Sequence, residues 1–380
     1  MDWTGLAPAA VADLLAQLIR SESPDPPGDE ARVTRSLVQA LRDLGFQPDV
    51  EEFAPKRFNV LVRINGRGSR APLVFSAHTD TLPAGTGIWK YPPFGGHFDG
   101  ARVHGRGACD MKSGLVAMVS AAVCLRDHQL GGDLILAFTG GESSACLGAR
   151  RMVATGALRG AGAILISEPT SMRVALAEKA ALWLRITAKG VAGHLSGEAS
   201  RGTGGQSAIL AMIGFLGRVQ AALPHDRHPL LGAVTANVGT IAGGTAINLM
   251  PDLCVAELDL RLLPQHDADR VQEGLQDMAG DGFTFERIDL KPAVETRADA
   301  AFAAMCLEVA GAMTGLPRDP VGVTYFSDAA VLCPALGAPM VIMGPGQLGG
   351  SGAIDESVLL ADVVMAAEVY VRIAKGWLGV

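Results

Sequence analysis

Three short apolar runs, residues 73–77, 133–138 and 163–167, constrain this chain most, because each leads to a polar side chain suited to catalysis or metal binding. The first ends at His78-Thr79-Asp80, the second at Thr139-Gly140-Gly141-Glu142, and the third at Glu168-Pro169-Thr170. Their apolar residues are continuous rather than alternating, which is the pattern of strands buried on both faces. Helical spacing separates them, at 113–126 and 147–155, and two amphipathic helices precede them at 9–19 and 29–44, the second stopped by Gly45. Such alternation predicts an α/β fold with a mostly parallel sheet flanked by helices. Ligands in such sheets bind beyond the carboxyl ends of the strands. His78, Glu142 and Glu168 each fall at that end.

Residues 104–114, His-Gly-Arg-Gly-Ala-Cys-Asp-Met-Lys-Ser-Gly, read as a tight loop that places Asp110 at the mouth of a helix. A carboxylate there can cap the helix and still bind an ion, so the two uses are compatible. Together with His78, Glu142 and Glu168 it suggests a metal site with Asp110 as its central ligand. Residues 83–100 form a long passage rich in Pro and Gly, and long irregular loops in compact domains are usually functional. His97 lies in that passage and is a candidate replacement ligand. The remaining histidines, at 104, 128, 225, 228 and 266, read as surface or structural groups.

The pattern changes near Lys179. Strands at 181–189, 233–241 and 254–262 and a helix at 207–223 describe a smaller α+β module with one sheet face exposed. Beyond residue 290 the chain returns to a helix at 300–314, a strand at 340–343 and a final helix at 359–374. The expected organisation is a first catalytic part at 1–178, an inserted module at 179–290, and a second catalytic part at 291–380. With 380 residues and 49% hydrophobic content, a large core is available. The formal charge of −7, with no basic tract, argues against nucleic acid as a partner. No apolar run approaches the roughly twenty residues of a membrane span. The start, Met1-Asp2-Trp3-Thr4, lacks the order of a signal peptide. Six scattered cysteines without a CxxC pair read as buried thiols, so the expected compartment is the cytoplasm.

The ordered motifs resemble the M20 metallopeptidase family, which includes acetylornithine deacetylase, succinyl-diaminopimelate desuccinylase and carboxypeptidase G. The resemblance runs from Leu73 to Val358. It rests on Ser76-Ala77-His78-Thr79-Asp80, on Gly105-Arg106-Gly107-Ala108-Cys109-Asp110-Met111-Lys112, and on Ser167-Glu168-Pro169-Thr170. Residues 190–194 and Gly243-Gly244-Thr245-Ala246-Ile247-Asn248, followed by Arg261, continue it. The resemblance implies that His78 and Glu168 hold one metal and that Asp110 bridges it to a second. It makes Asp80 the brace of His78 through the other ring nitrogen, and Glu142 the general base toward the attacking water. It makes the inserted module a lid and dimerisation domain, so a homodimer or higher homo-oligomer is expected. His194 would reach a partner subunit's site and help stabilise the oxyanion. Asn248 and Arg261 would contact a small-molecule substrate, the arginine being suited to a carboxylate by its bidentate fork.

The departures from that family are concentrated. Family members carry two successive glutamates where this chain has Glu142-Ser143, and a histidine after the Gly-Pro-Gly loop where it has Ser351-Gly352. No histidine follows His266. Both non-bridging ligands of one metal are replaced, while those of the other survive, so one divalent ion per chain is expected. One His and two carboxylates form a mostly hard set, compatible with Mn²⁺ as well as Zn²⁺. Such a site acidifies its water less than a two-metal site and lacks a second Lewis acid, a loss of several kcal/mol in order of magnitude for an unactivated amide. The expected activity is hydrolysis of a C–N bond in a small carboxylate-bearing substrate, either an amide or an activated aryl amine of the nitroanthranilate type. Two further readings stay open: an N-acyl-amino-acid deacylase or dipeptidase with a rebuilt two-metal site, and a non-catalytic binding protein on the same scaffold.

Overall fold

A computed structural model describes residues 5–194, 196 and 206–380. Residues 1–4, read above for a leader, lie outside the described residues. The chain divides into two compact units. The larger comprises the chain up to Ala177 with Glu295–Gly322 and Ser327–Val380; the smaller comprises Glu178–Val294 with Val323–Phe326.

A nine-stranded sheet organises the larger unit. Its order runs Asp49–Ala54, Arg57–Ile64, Leu134–Thr139, Leu73–His78, Ala163–Ile166, Met340–Ile342, Ala175–Glu178 and Val294–Glu295, with Val321–Val323 also pairing Ala175–Glu178. Leu73–His78 pairs parallel with both Leu134–Thr139 and Ala163–Ile166, and Met340–Ile342 pairs parallel with Ala163–Ile166. The flanks are antiparallel: Arg57–Ile64 on Leu134–Thr139, and Met340–Ile342 on Ala175–Glu178. The sheet is therefore mixed, with the parallel arrangement confined to its centre. The three apolar runs of the sequence are that centre, and every residue in their strands is buried.

The helix Lys112–Leu125 packs on Pro8–Arg20 and on the C-terminal helix Leu360–Leu378, and the latter also meets Ala301–Thr314. Lys112–Leu125 is buried almost all round, consistent with its small and apolar residues. Gly114 lets it approach the sheet: a Cβ there would lie 2.2 Å from Ser167 Oγ. Gly344 makes a similar approach from the Gly-Pro-Gly loop, where a Cβ would lie 2.3 Å from the Ser167 carbonyl. Between them the buried Tyr370 hydroxyl donates to the Met343 carbonyl at 2.6 Å and lies 2.5 Å from Ser167 Oγ. The residue preceding Glu168 is thus clamped from three directions.

The smaller unit holds a four-stranded antiparallel sheet in the order Thr235–Gly243, Leu253–Arg261, Ala181–Lys189, Phe283–Lys291. The last of these strands and the helix Ala268–Ala279 add to the elements expected from sequence. The helix Ala208–Ala222 is capped by Ser207, whose hydroxyl accepts from the Leu210 amide at 3.2 Å. It buries Ala208, Met212, Phe215 and Val219 on one face. The strand Thr235–Gly243 forms a sheet edge and is exposed along nearly its whole length.

Candidate metal centre

His78 ends its strand with a ring 4% exposed. Its Nδ1 lies 2.9 Å from the Asp80 carbonyl oxygen, which can only accept, so the ring proton sits on Nδ1. The lone pair of Nε2 then faces Asp110 Oδ1 at 3.1 Å and Glu168 Oε1 at 3.6 Å. Three such groups converging in a buried place need a proton or a cation among them. His78, Asp110 and Glu168 bring their ligand atoms within 4.8 Å of one another, and a divalent ion fits this donor set. The electrostatics carry the same requirement. Burial alone would lower the His78 pKa, yet Asp110, Asp80 and Glu168 hold it well above the ordinary histidine value. Burial would raise Asp110, but the His78 ring and the Ser351 hydroxyl keep its carboxyl below the usual range. Glu168 is pushed well above its ordinary value by burial and by Asp110.

Asp80 differs from the expected brace. Its carboxylate stands 3.8 Å from His78 Nδ1, and its own backbone carbonyl makes the bond instead. The carboxylate is engaged by the next strand's loop: Oδ1 accepts from the amides of Gly141 at 2.8 Å and Glu142 at 3.1 Å, and Oδ2 from Ser143 at 3.1 Å. One residue therefore fixes the histidine tautomer through its main chain and the Glu142 turn through its side chain. Gly141 takes φ 74°, a left-handed turn that opens the short helix Glu142–Ala145. Glu142 is buried, and together with His78 and Asp80 it forms the other metal-competent group among the described residues. Burial raises its carboxyl well above the usual value, with Asp328 and Asp80 adding to the effect and His78 opposing it.

Glu356 and Arg106 hold the Asp110 loop. Glu356 Oε1 accepts from the amides of Gly107, Cys109 and Asp110 at 3.0, 2.8 and 3.0 Å, and Oε2 accepts from Arg106 Nη1 at 2.6 Å. Arg106 stands in the Gly105–Lys112 motif, but the sequence gives neither it nor Glu356 a task; their partnership spans the chain and has no local signature. Asp328 is a further buried carboxyl that sequence reading missed. Its Oδ2 accepts from Thr139 Oγ1 at 2.5 Å, and burial lifts its pKa to about 6. His97 belongs to neither metal-competent group: its strand pairs it opposite His104, and its ring stacks on Tyr91 at 4.0 Å. Cys109 is buried, its thiol raised by that burial, and it donates to the Gln347 carbonyl at 3.4 Å. An inert thiol follows.

In the smaller unit His194 and Asn248 lie together, Asn248 Nδ2 being 3.0 Å from His194 Nε2. Both are exposed, and the Ser196 hydroxyl lies 2.6 Å from His194 Nδ1. Arg261 ends its strand with its fork already engaged. Nε and Nη2 both donate to Asp259 Oδ2, at 3.1 and 2.8 Å, which leaves Nη1 as a buried donor without a partner. Its guanidinium carbon lies 5.3 Å from the Phe326 ring centre.

Residues 74–376 match the model of peptidase family M20/M25/M40. An acetylornithine deacetylase of Myxococcus xanthus is 29% identical over 358 residues, covering 89% of this chain and 90% of that protein. A succinyl-diaminopimelate desuccinylase of Methylobacterium radiotolerans is 28% identical, covering 98% of this chain and 97% of that protein. Among solved structures, an M20 family metallo-carboxypeptidase from Sulfolobus solfataricus superposes with a TM-score of 0.79 at 18% identity, over 96% of this chain and 98% of that one. A Bacillus subtilis protein described as a dinuclear metal-binding peptidase of family M20 does so with a TM-score of 0.71 at 18% identity, over 97% and 99%. With this fold, this match and this cluster of ligands, the chain belongs to peptidase family M20/M25/M40 and is a metal-dependent hydrolase of C–N bonds.

Proposed function

We propose that the protein hydrolyses the amide C–N bond of a small carboxylate-bearing substrate, using one divalent ion per chain. The convergence of His78 Nε2, Asp110 and Glu168 beside a buried Glu142 carries this reading. His78, Asp110 and Glu168 hold the ion, Mn²⁺ or Zn²⁺ by the hardness of the set. When bound, such an ion supplies Lewis-acid polarisation and makes water a stronger acid. Glu142 takes the proton of the attacking water and delivers it to the departing nitrogen. Its raised proton affinity suits the second half of that task, and the Asp80-held turn keeps its carboxyl in place. His194, reaching a partner subunit's site, helps stabilise the developing oxyanion and so substitutes in part for a second Lewis acid, while Asn248 contacts the substrate. Arg261 offers Nη1 to the substrate carboxylate while Asp259 fixes its plane. The amide reading is favoured over the aryl amine because the curated relatives are named for deacylation, and because aromatic residues form only 5% of the chain.

The smaller unit serves as a lid and dimerisation domain in this reading. Its edge strand Thr235–Gly243 presents an unpaired row of backbone groups with Val238 and Ile241 exposed, and Leu210 and Ile213 project from the adjacent helix. An edge of this kind is a template for pairing with a second copy. No described helix is long and apolar enough to cross a membrane, and a cytoplasmic location accords with six unbridged cysteines.

The test is a turnover screen on metal-loaded protein that pairs N-acyl amino acids with dipeptides and nitro-substituted aminobenzoates, run beside metal analysis. The expected result is release of the amine from N-acyl amino acids at near one ion per chain. Release of ammonia from the aminobenzoates alone would replace the amide reading with the aryl one. Two tightly held ions would sink the one-ion assignment, and silence across all three classes would favour a binding protein.

A further inference from the structure

The two oxygens of Asp110 are used differently. Oδ1 faces His78 Nε2 at 3.1 Å, on the side of the ligand cluster. Oδ2 accepts a hydrogen bond from the Ser351 hydroxyl. We propose that Ser351 is a positioning residue, whose hydroxyl holds the outer oxygen of Asp110 and so commits that carboxylate to a single ion. The proposal rests on the one-ion reading above and assigns the residue that enforces it.

The surroundings of Ser351 support this use. Arg106 fixes its turn, donating from Nη2 to the Gly352 carbonyl at 3.0 Å and from Nη1 to the Ala353 carbonyl at 3.3 Å. The same guanidinium is locked by Glu356, which also holds the Asp110 amide. Donor and acceptor of the Ser351–Asp110 bond are therefore set by one shared clamp, although they stand far apart in sequence. Gly352 takes φ +72°, and a Cβ there would meet Leu82 Cδ1 at 3.1 Å. That position is shaped for a tight turn rather than for a bulky ligand side chain. Across the site, the Ser143 amide is spent on Asp80. Both metal-competent groups among the described residues contain His78, so neither is a separate site at Oδ2. The hydroxyl proton takes one lone pair of Oδ2 and fixes the rotation of the carboxylate, so a second ion at that oxygen would have to compete with the bond.

A carboxylate oriented by a hydrogen bond on its free oxygen binds more tightly than one left to rotate, and loss of such a partner typically weakens metal affinity about 10–100-fold. The experiment is a Mn²⁺ titration of the full-length protein followed by electron paramagnetic resonance, with Ser351→Ala and Ser351→Thr as variants. Ser351 is exposed, so neither change threatens the core. The wild type is expected to take one ion with an uncoupled Mn²⁺ signal. Ser351→Ala should weaken binding about tenfold or more and alter the zero-field splitting, and Ser351→Thr, which keeps the hydroxyl, should restore both. A one-ion wild type whose alanine variant matches it in affinity and spectrum overturns the role of Ser351 alone. A wild type that binds two spin-coupled ions overturns the one-ion reading and this proposal with it.

Discussion

The strand-end layer of the larger unit and the polar set of the smaller unit are built on opposite principles. His78, Glu142 and Glu168 are only 4%, 7% and 4% exposed, and main-chain groups fix their neighbourhood: the Asp80 carbonyl on His78, three amides on Asp80, three more on Glu356. His194 and Asn248 are exposed and bond chiefly to one another and to Ser196. Groups that hold a cation or move a proton need a fixed geometry and a low dielectric, which burial on rigid strands supplies. Groups that meet a substrate from a surface need access more than rigidity. Substitutions in the first set should therefore depress kcat or stability; in the second, loss of His194 should lower kcat through the oxyanion, whereas changes at Arg261 should act mainly on KM.

Glu142→Gln puts the largest strain on this contrast. The change preserves shape and removes the proton acceptor without touching His78, Asp110 or Glu168. The expected outcome is full metal occupancy with kcat reduced about 10²–10⁴-fold, the usual contribution of a positioned general base. Full occupancy with unchanged turnover would remove Glu142 from the chemistry and dissolve the distinction between the layers.

Arg106→Ala tests whether the buried layer is also a stability element. It leaves Glu356 as a buried carboxylate without its cation, though three amides still face it. Removal of one partner from a buried ion pair costs about 3–5 kcal/mol, and the amides place this case at the lower end. Chemical denaturation would read the loss; a change within error would mean that the clamp on the Asp110 loop is held by other contacts.

The same contrast explains what could be read from the residues alone. Continuous apolar runs identified the central parallel strands, because burial on both faces leaves no room for polar residues there, and the candidate ligands His78 and Glu168 followed from their positions at the strand ends. The antiparallel flanks were less legible: Ala175–Glu178 is as short and apolar as the parallel strands, and the polar Arg57, Asn59 and Arg63 of Arg57–Ile64 do not state its direction. Phe283–Lys291 is hard to recognise as a strand because its polarity does not follow its burial: Ile288 is exposed while Arg287 and Asp289 are half-buried and Lys291 is buried. Nor could sequence decide whether Asp80 braces His78 through its carboxylate or its carbonyl. Glu356 and Ser351 act on Asp110 across more than two hundred residues. Only the fold brings them there.

Arg261→Lys should give the smallest effect and thereby sharpen the comparison. In the wild type, Asp259 engages Nε and Nη2, so the guanidinium plane is set before any substrate arrives, and Nη1 remains as the free donor. Lysine keeps the charge but has no fork, so it can pair with Asp259 or with a substrate carboxylate, and not with both in a fixed geometry. One hydrogen bond of this kind contributes about 1 kcal/mol net, so KM should rise severalfold while kcat stays near the wild-type value. Metal content should not change, since Arg261 is no part of the ligand cluster. A fall in kcat with KM unmoved would show that Arg261 acts in the transition state, and would place it in function with the strand-end layer of the larger unit.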